Sequence, residues 1–182
     1  MNQNSYNTEL VRQLLKAPRH VRALARALNT NSMTVSRKIR ELEQDNVVDH
    51  QQEGKNKVYF LKKTLEAQEQ AFIAEHFALM QTLREYPLLR SIVLKIKSNP
   101  RVKLAVLFGS YAQGLAHKKS DIDIYIETTS AELKKEIEQL STKISLKTGT
   151  YNGNSTLIKE IQKNHVIIKG VELYYEKTKF FS

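Results

Sequence analysis

The chain has 182 residues, 41% hydrophobic and 26% charged, with six glycines, three prolines and no cysteine. That composition suits one ordinary globular domain or two small ones, and it excludes fibrous and disordered classes, disulfide scaffolds and thiolate zinc sites. The net charge of +10 points to polyanionic partners; no apolar run approaches the ~20 residues of a bilayer span, and MNQNSYNTEL lacks the basic start and apolar core of a signal peptide, so a cytoplasmic protein with no membrane contact is expected.

In chain order, residues 7–17 read as a helix, with Leu10, Leu14 and Leu15 on one stripe and Pro18 at its end. Residues 20–29 read as a second helix through Val21, Leu24, Ala25 and Leu28. Thr30, Asn31 and Ser32 are candidate N-caps for a third, running to about Asp45 on a Val35, Ile39, Leu42 face. Asn46 can take the left-handed conformation that ends it. VVDHQ and KVYFLK then read as two strands joined by the Gly-bearing QEGKN. Between Glu9 and Glu41 there is no acid but eight Lys or Arg. One sign of charge over such an interval favours a nucleic-acid footprint over a merely solvated face.

Three helices followed by a hairpin is the order of a winged helix-turn-helix. The run from Asn31 to Lys63 resembles the recognition helix and wing of bacterial and archaeal winged-helix regulators. In such a fold the third helix can enter a major groove and present Ser32, Thr34, Ser36, Arg37 and Arg40, while Lys55 and Lys57 on the wing touch flanking phosphates. Double-stranded DNA is the expected partner; a protein-docking winged helix is the alternative.

Residues 64–86 read as one long helix capped by Thr64, with Leu65, Phe72, Ile73, Phe77, Met80 and Leu83 as an apolar stripe. The stripe either packs on the body of a domain or pairs with a second copy in a homodimer. Pro87 opens another helix, LLRSIVLKIKSN, and Pro100 closes it.

Leu104–Phe108 reads as a buried strand ending in Gly109-Ser110. Glycine lets the backbone turn sharply and approach a ligand. Ser110 offers a hydroxyl and an N–H near the start of a helix over 110–115, where a phosphate is well placed. In DIDIYIE, Ile122, Ile124 and Ile126 face one way, and Asp121, Asp123, Tyr125 and Glu127 the other. Two carboxylates that close repel unless a cation joins them, and Mg²⁺ is the cation that bridges carboxylates to nucleotide phosphates. Tyr125 either stacks on a base or covers the sheet. Lys118, Lys119 and His117 either add contacts to phosphate or are plainly solvated.

Gly-Ser, ten residues, then Asp-x-Asp resembles the signature of the polymerase-beta-like nucleotidyltransferases. The short form is similar to the minimal members, which include antitoxins that adenylylate a partner toxin. The likeness covers residues 88–175 or so, including STLIKEIQKNHVIIKGVELYYE, similar to the family's C-terminal helix and strand. The resemblance implies an α+β fold: an N-terminal winged helix-turn-helix (1–63), a linker or dimer helix (64–86), and a small mixed-sheet domain with helices on one face (87–182). It implies Mg²⁺ with ATP or another NTP as substrate, Gly109, Ser110 and Ser120 as nucleotide-binding residues, and Asp121 and Asp123 as catalytic metal ligands. Transfer of a nucleotidyl group, AMP above all, to a protein or small-molecule acceptor would follow. The family's third carboxylate falls on a later strand, here TKISLKT, where this chain has Ser145 and no acid lies between Glu138 and Glu160. Glu127 is about 13 Å along the strand from Asp123, and Glu172 is a candidate on the last strand. The gap leaves two readings open: an active transferase, or a regulator whose domain binds nucleotide or a partner without turnover.

Overall fold

The computed structural model describes residues 3–182; Met1 and Asn2, which begin the stretch read as lacking a targeting signal, lie outside the described residues. The chain divides into two compact units, one running to Phe77 and taking in Phe180–Ser182, the other Ala78–Lys179.

The first unit is built from α1 (Gln3–Lys16), β1 (Arg19–His20), α2 (Val21–Ala27), α3 (Ser32–Gln44), β2 (Val48–Glu53) and β3 (Asn56–Leu61). Leu10, Val11, Leu14, Leu24, Val35, Ile39 and Leu42 form its core, so the three helical stripes meet. Asn31 caps α3 by accepting the Thr34 N–H at 2.8 Å, and Asn46, at φ 61°, ends it. The wing is an antiparallel pair from Val48↔Leu61 to Glu53↔Asn56, turning at Gly54. One element was not anticipated: Arg19–His20, expected partly inside the second helix, forms a short strand on Tyr59 and Val58, giving the sheet order β1-β3-β2. Helices first and a three-stranded antiparallel wing after them make this unit a winged helix-turn-helix fold. Phe180 and Phe181 pack against the same core, and Lys63 Nζ donates to the Ser182 carbonyl.

The boundary between the units falls within α4 (Leu65–Glu85). The Thr64 hydroxyl opens this helix, accepting the Ala67 N–H at 3.3 Å while donating to the Asn46 carbonyl at 2.7 Å. The expected apolar stripe is divided. Ala67, Ala71, Ala74 and Ala78 are buried, whereas Leu65, Ile73 and Met80 are 69%, 50% and 60% exposed. Alanines let a helix approach its neighbours closely; Phe72, Phe77 and Leu83 are half-buried, and Leu65, Ile73 and Met80 are left facing out.

The second unit continues through α5 (Leu89–Ser98), β4 (Ala105–Leu107), α6 (Gly109–Gln113), β5 (Ile122–Glu127), α7 (Ala131–Glu138), β6 (Ile144–Gly149), α8 (Thr156–Lys163), β7 (Val166–Lys169) and α9 (Val171–Thr178). Its sheet is mixed, in order β6-β5-β4-β7, with β4 antiparallel to both neighbours and β5 parallel to β6. One face is apolar: Ala105, Leu107, Ile122, Ile124, Ile126 and Leu146 pack with Leu89, Ile92 and Ile96 of α5 and with Leu133 and Ile137 of α7. The other face carries the alternate residues and is closed at one end by Tyr125, Tyr151 and Tyr174, whose rings meet edge-on at 6.3 and 6.0 Å. The last strand is β7, and Glu172, expected on it, falls in helix α9. Gly170, at φ 82°, turns the chain out of β7 where a Cβ would crowd the backbone of Lys103 and Leu104. Among the described residues, no helix is long and apolar enough to cross a membrane.

Candidate functional site

The two strands that flank the glycine corner are held in register. Leu107 pairs with Ile124, and beyond the end of β4 the Phe108 N–H donates to the Asp123 carbonyl at 2.9 Å. Gly109 follows at φ 67°, a conformation that costs other residues about 1–2 kcal/mol. A Cβ there would stand 3.1 Å from the Asp123 carboxyl carbon and overlap its oxygen. Glycine is therefore required twice, for the turn and for the space the carboxylate occupies. Ser110 is half-buried in the first turn of α6, and its carbonyl accepts the Leu115 N–H at 2.9 Å. Gly114, in the left-handed conformation, ends this short helix.

The loop from α6 to β5 is pinned by Ser120. Its hydroxyl accepts the His117 N–H at 3.0 Å, and its own N–H donates to the His117 carbonyl at 2.9 Å. Ser120 thus fixes the approach to Asp121. The His117 ring accepts the Lys119 N–H at 3.2 Å, which ties it to its own loop.

Asp121 is exposed and Asp123 half-buried. In the parallel β5–β6 register Asp123 lies opposite Ser145, and the Ser145 hydroxyl donates to its carboxylate. Burial holds the Asp123 carboxyl above the usual range, with Asp121 and Glu160 adding to the rise and the Ser145 hydrogen bond and Lys147 opposing it. Among the described residues neither acid of the pair forms an ion pair within 4 Å. A partly buried carboxylate beside a second one, free of fixed cations and set against a glycine corner, fits a hard divalent cation with oxygen ligands. Asp121 and Asp123 are the residues that would hold it.

The third-acid question resolves into particulars. Ser145 stands where strand register would place such a group. Glu127 is occupied: it pairs with Lys177 at 2.8 Å and accepts the Tyr151 N–H at 3.0 Å. Glu172 lies on α9, not on a strand, and is exposed. Beyond Asp121, the acid whose charge also raises the Asp123 carboxyl, by the smallest contribution, is Glu160, exposed on α8. Its arrival depends on how α8 packs, which strand spacing does not encode. Tyr125 covers the sheet: it is buried, its hydroxyl donates to the Gly149 carbonyl at 2.9 Å, and burial pushes its phenol upward.

On the winged helix, Ser32, Ser36, Arg37 and Arg40 of α3 are exposed and Thr34 is half-buried. Lys38, between them, is buried and pairs with Glu41 at 2.6 Å, so it belongs to the core side. Lys55 and Lys57 are exposed on the wing. Ser32, Lys55 and Lys57 line one pocket of about 440 Å³ with Arg22, Arg26 and His20 and no acidic side chain.

A glycine corner facing Asp123 on a mixed four-stranded sheet, with Asp121 one residue ahead of that strand, defines a nucleotidyltransferase-type unit, joined in one chain to a winged helix. Residues 90–173 match the family described as Polymerase beta, Nucleotidyltransferase, and this segment is such a domain. Two solved structures share parts of the chain. A homodimeric winged helix-turn-helix DNA-binding domain of Mb0332 from Mycobacterium bovis, a possible ArsR-family transcriptional regulator, is 26% identical over 48% of this chain and 75% of its own, with a TM-score of 0.34. A toxin-antitoxin with AMP-PNP is 23% identical over 58% of this chain and 83% of its own, also at 0.34. At those scores the element order and strand register above, not the superpositions, define the folds. No curated protein matches the chain.

Proposed function

We propose that the chain is a cytoplasmic DNA-binding nucleotidyltransferase that moves a nucleotidyl group, AMP above all, from a nucleoside triphosphate to a protein or small-molecule hydroxyl. The observation that carries this is the seating of the Asp123 carboxylate against Gly109, where a side chain on the corner would displace it. Gly109 and Ser110 supply a corner where backbone can approach the triphosphate, and Ser120 sets the strand entry that carries Asp121. In transfer, the acceptor oxygen bonds to the α-phosphorus, the bond from that phosphorus to the bridging oxygen breaks, and pyrophosphate leaves with the electron pair. The hydroxyl proton passes to solvent or to a carboxylate of the site. Magnesium, when held by Asp121 and Asp123, would neutralise triphosphate charge and make the acceptor oxygen more acidic. Ser145 orients Asp123 from one side and Lys147 offsets the negative charge gathered there.

A second reading is favoured by Ser145 opposite Asp123: with no acid at that register position, the domain binds nucleotide and signals through the winged helix without turnover. Incubation with α-labelled ATP, Mg²⁺ and cell lysate separates the two. Label on an acceptor that disappears in Asp121→Asn/Asp123→Asn supports transfer. Nucleotide binding with no label supports the sensor, and no nucleotide binding removes both.

For the first unit, the exposed Arg37 and Arg40 of α3 and the basic pocket beside the wing, which no acidic side chain lines, support binding to double-stranded DNA. Outward-facing Ile73 and Met80 on α4 support pairing with a second copy. A DNA affinity independent of salt would remove the first idea, and a monomeric mass across the micromolar range the second.

A further inference from the structure

Among residues not used above, Glu43, Asp49 and His50 bring one nitrogen and two carboxylate oxygens within 4.8 Å of one another. They arrive from two elements, Glu43 from the last turn of α3 and the other two from β2. Neighbouring strand side chains point to opposite faces, so residues 49 and 50 do not converge by default. Here Asp49 folds back, its carboxylate accepting the His50 N–H at 2.7 Å. His50 Nδ1 then lies 2.7 Å from Glu43 Oε1 and 3.9 Å from Asp49 Oδ1. The Tyr59 ring, 5.5 Å away and tilted, backs the imidazole.

We propose that these three side chains form a binding site for a first-row divalent cation of the zinc type. Ligand atoms about 2.1 Å from a tetrahedral zinc lie roughly 3.4 Å apart, and the two distances at His50 bracket that value. An imidazole nitrogen with two carboxylates suits zinc, cobalt or nickel better than the all-oxygen preference of magnesium or calcium. The site is therefore chemically distinct from the Asp121–Asp123 pair. It is partly exposed, so an ion can enter and water can fill the fourth position. The existing hydrogen bonds hold the three groups together beforehand, which lowers the ordering cost of binding. An ion there clips the end of the recognition helix to the wing strand and fixes the angle between the two DNA-facing elements, making DNA affinity metal-dependent. The site stands whether or not the second unit transfers nucleotides.

The test uses the full chain carrying Asp121→Asn/Asp123→Asn, which removes the other cation site. Co²⁺ serves as the spectroscopic probe and Zn²⁺ as its competitor. The expected result is a visible absorption that saturates at one equivalent, is displaced by Zn²⁺, disappears in His50→Gln and weakens about tenfold or more in Glu43→Gln. Broadening of the Tyr59 ring resonances by Co²⁺ in the chain with native Glu43, Asp49 and His50 locates the ion without relying on those variants. An absorption that His50→Gln, folded by circular dichroism, leaves unchanged overturns the proposal. So does the lack of any saturable binding, which would leave the cluster a helix-to-wing hydrogen bond and nothing more.

Discussion

Each unit contains a hairpin-like corner built on a left-handed glycine, and the two corners differ in what surrounds them. Gly54, at φ 59°, turns the wing, and a Cβ placed on it meets nothing within 4 Å. Gly109, at φ 67°, turns β4 into α6, and a Cβ there runs into Asp123. The same backbone requirement is met at both positions, but only the second is also a vacancy shaped for a neighbouring carboxylate. A glycine in sequence announces a turn; what lies across from it decides whether the turn is architecture or chemistry.

The comparison breaks most directly at the glycines themselves. Gly109→Ala is expected to cost about 1–3 kcal/mol of stability and to lower metal-dependent nucleotide affinity by about tenfold or more, since Asp123 must move. Gly54→Ala should cost about 1–2 kcal/mol and leave nucleotide affinity unchanged. Denaturant melts with nucleotide titrations check both, and equal nucleotide losses in the two variants would erase the distinction.

A second pair of variants sharpens the electrostatics. Because the fold holds the Asp123 carboxyl above its ordinary range, it favours the protonated form. That contribution to stability is present below the usual carboxylate pKa and is lost as pH rises through the raised value. Asp123→Asn should therefore melt a few degrees higher than the parent at pH 7 without metal, while losing metal-dependent nucleotide binding. The Ser145 hydrogen bond lowers the Asp123 pKa and Glu160 raises it. Ser145→Ala should then move the pH midpoint of Mn²⁺-dependent nucleotide binding upward and Glu160→Gln downward. Shifts in the same direction would refute this account of the site.

The smallest effects belong to the winged helix. Asn31→Ala removes the cap on α3 and should cost about 1 kcal/mol, read in a thermal melt. Arg37→Ala or Arg40→Ala should weaken DNA binding across sequences and reduce the salt slope by about one if the lost contact is to phosphate.

Much of this was legible in the residues, and the failures have identifiable causes. The period-two pattern of DIDIYIE and the Gly-Ser corner ahead of it were enough to put Asp123 on a strand beside that corner, because strand geometry is local; Asp121 falls one residue before β5. The winged helix was likewise legible in its stripes and in Asn46. Arg19–His20 escaped because a two-residue strand has no period to detect. The large apolar residues of α4 suggested a stripe that packs on a domain or on a second copy; Ala67, Ala71, Ala74 and Ala78 take the interior, while Ile73 and Met80 face out, and small residues at helical spacing give no apolar signal of their own. VELYYE carries strand-like residues, but the turn at Gly170 starts a helix there. The charge of Glu160 bears on Asp123 from a separate element, α8, and no spacing rule along β6 leads to it.

The two aromatic rings at positions 180 and 181 have a consequence for biosynthesis. They pack against an interior whose other parts emerge first from the ribosome, so the winged-helix unit waits for the nucleotidyltransferase segment to be translated before these contacts can form. A pause or early stop in the second half is therefore expected to weaken the first as well.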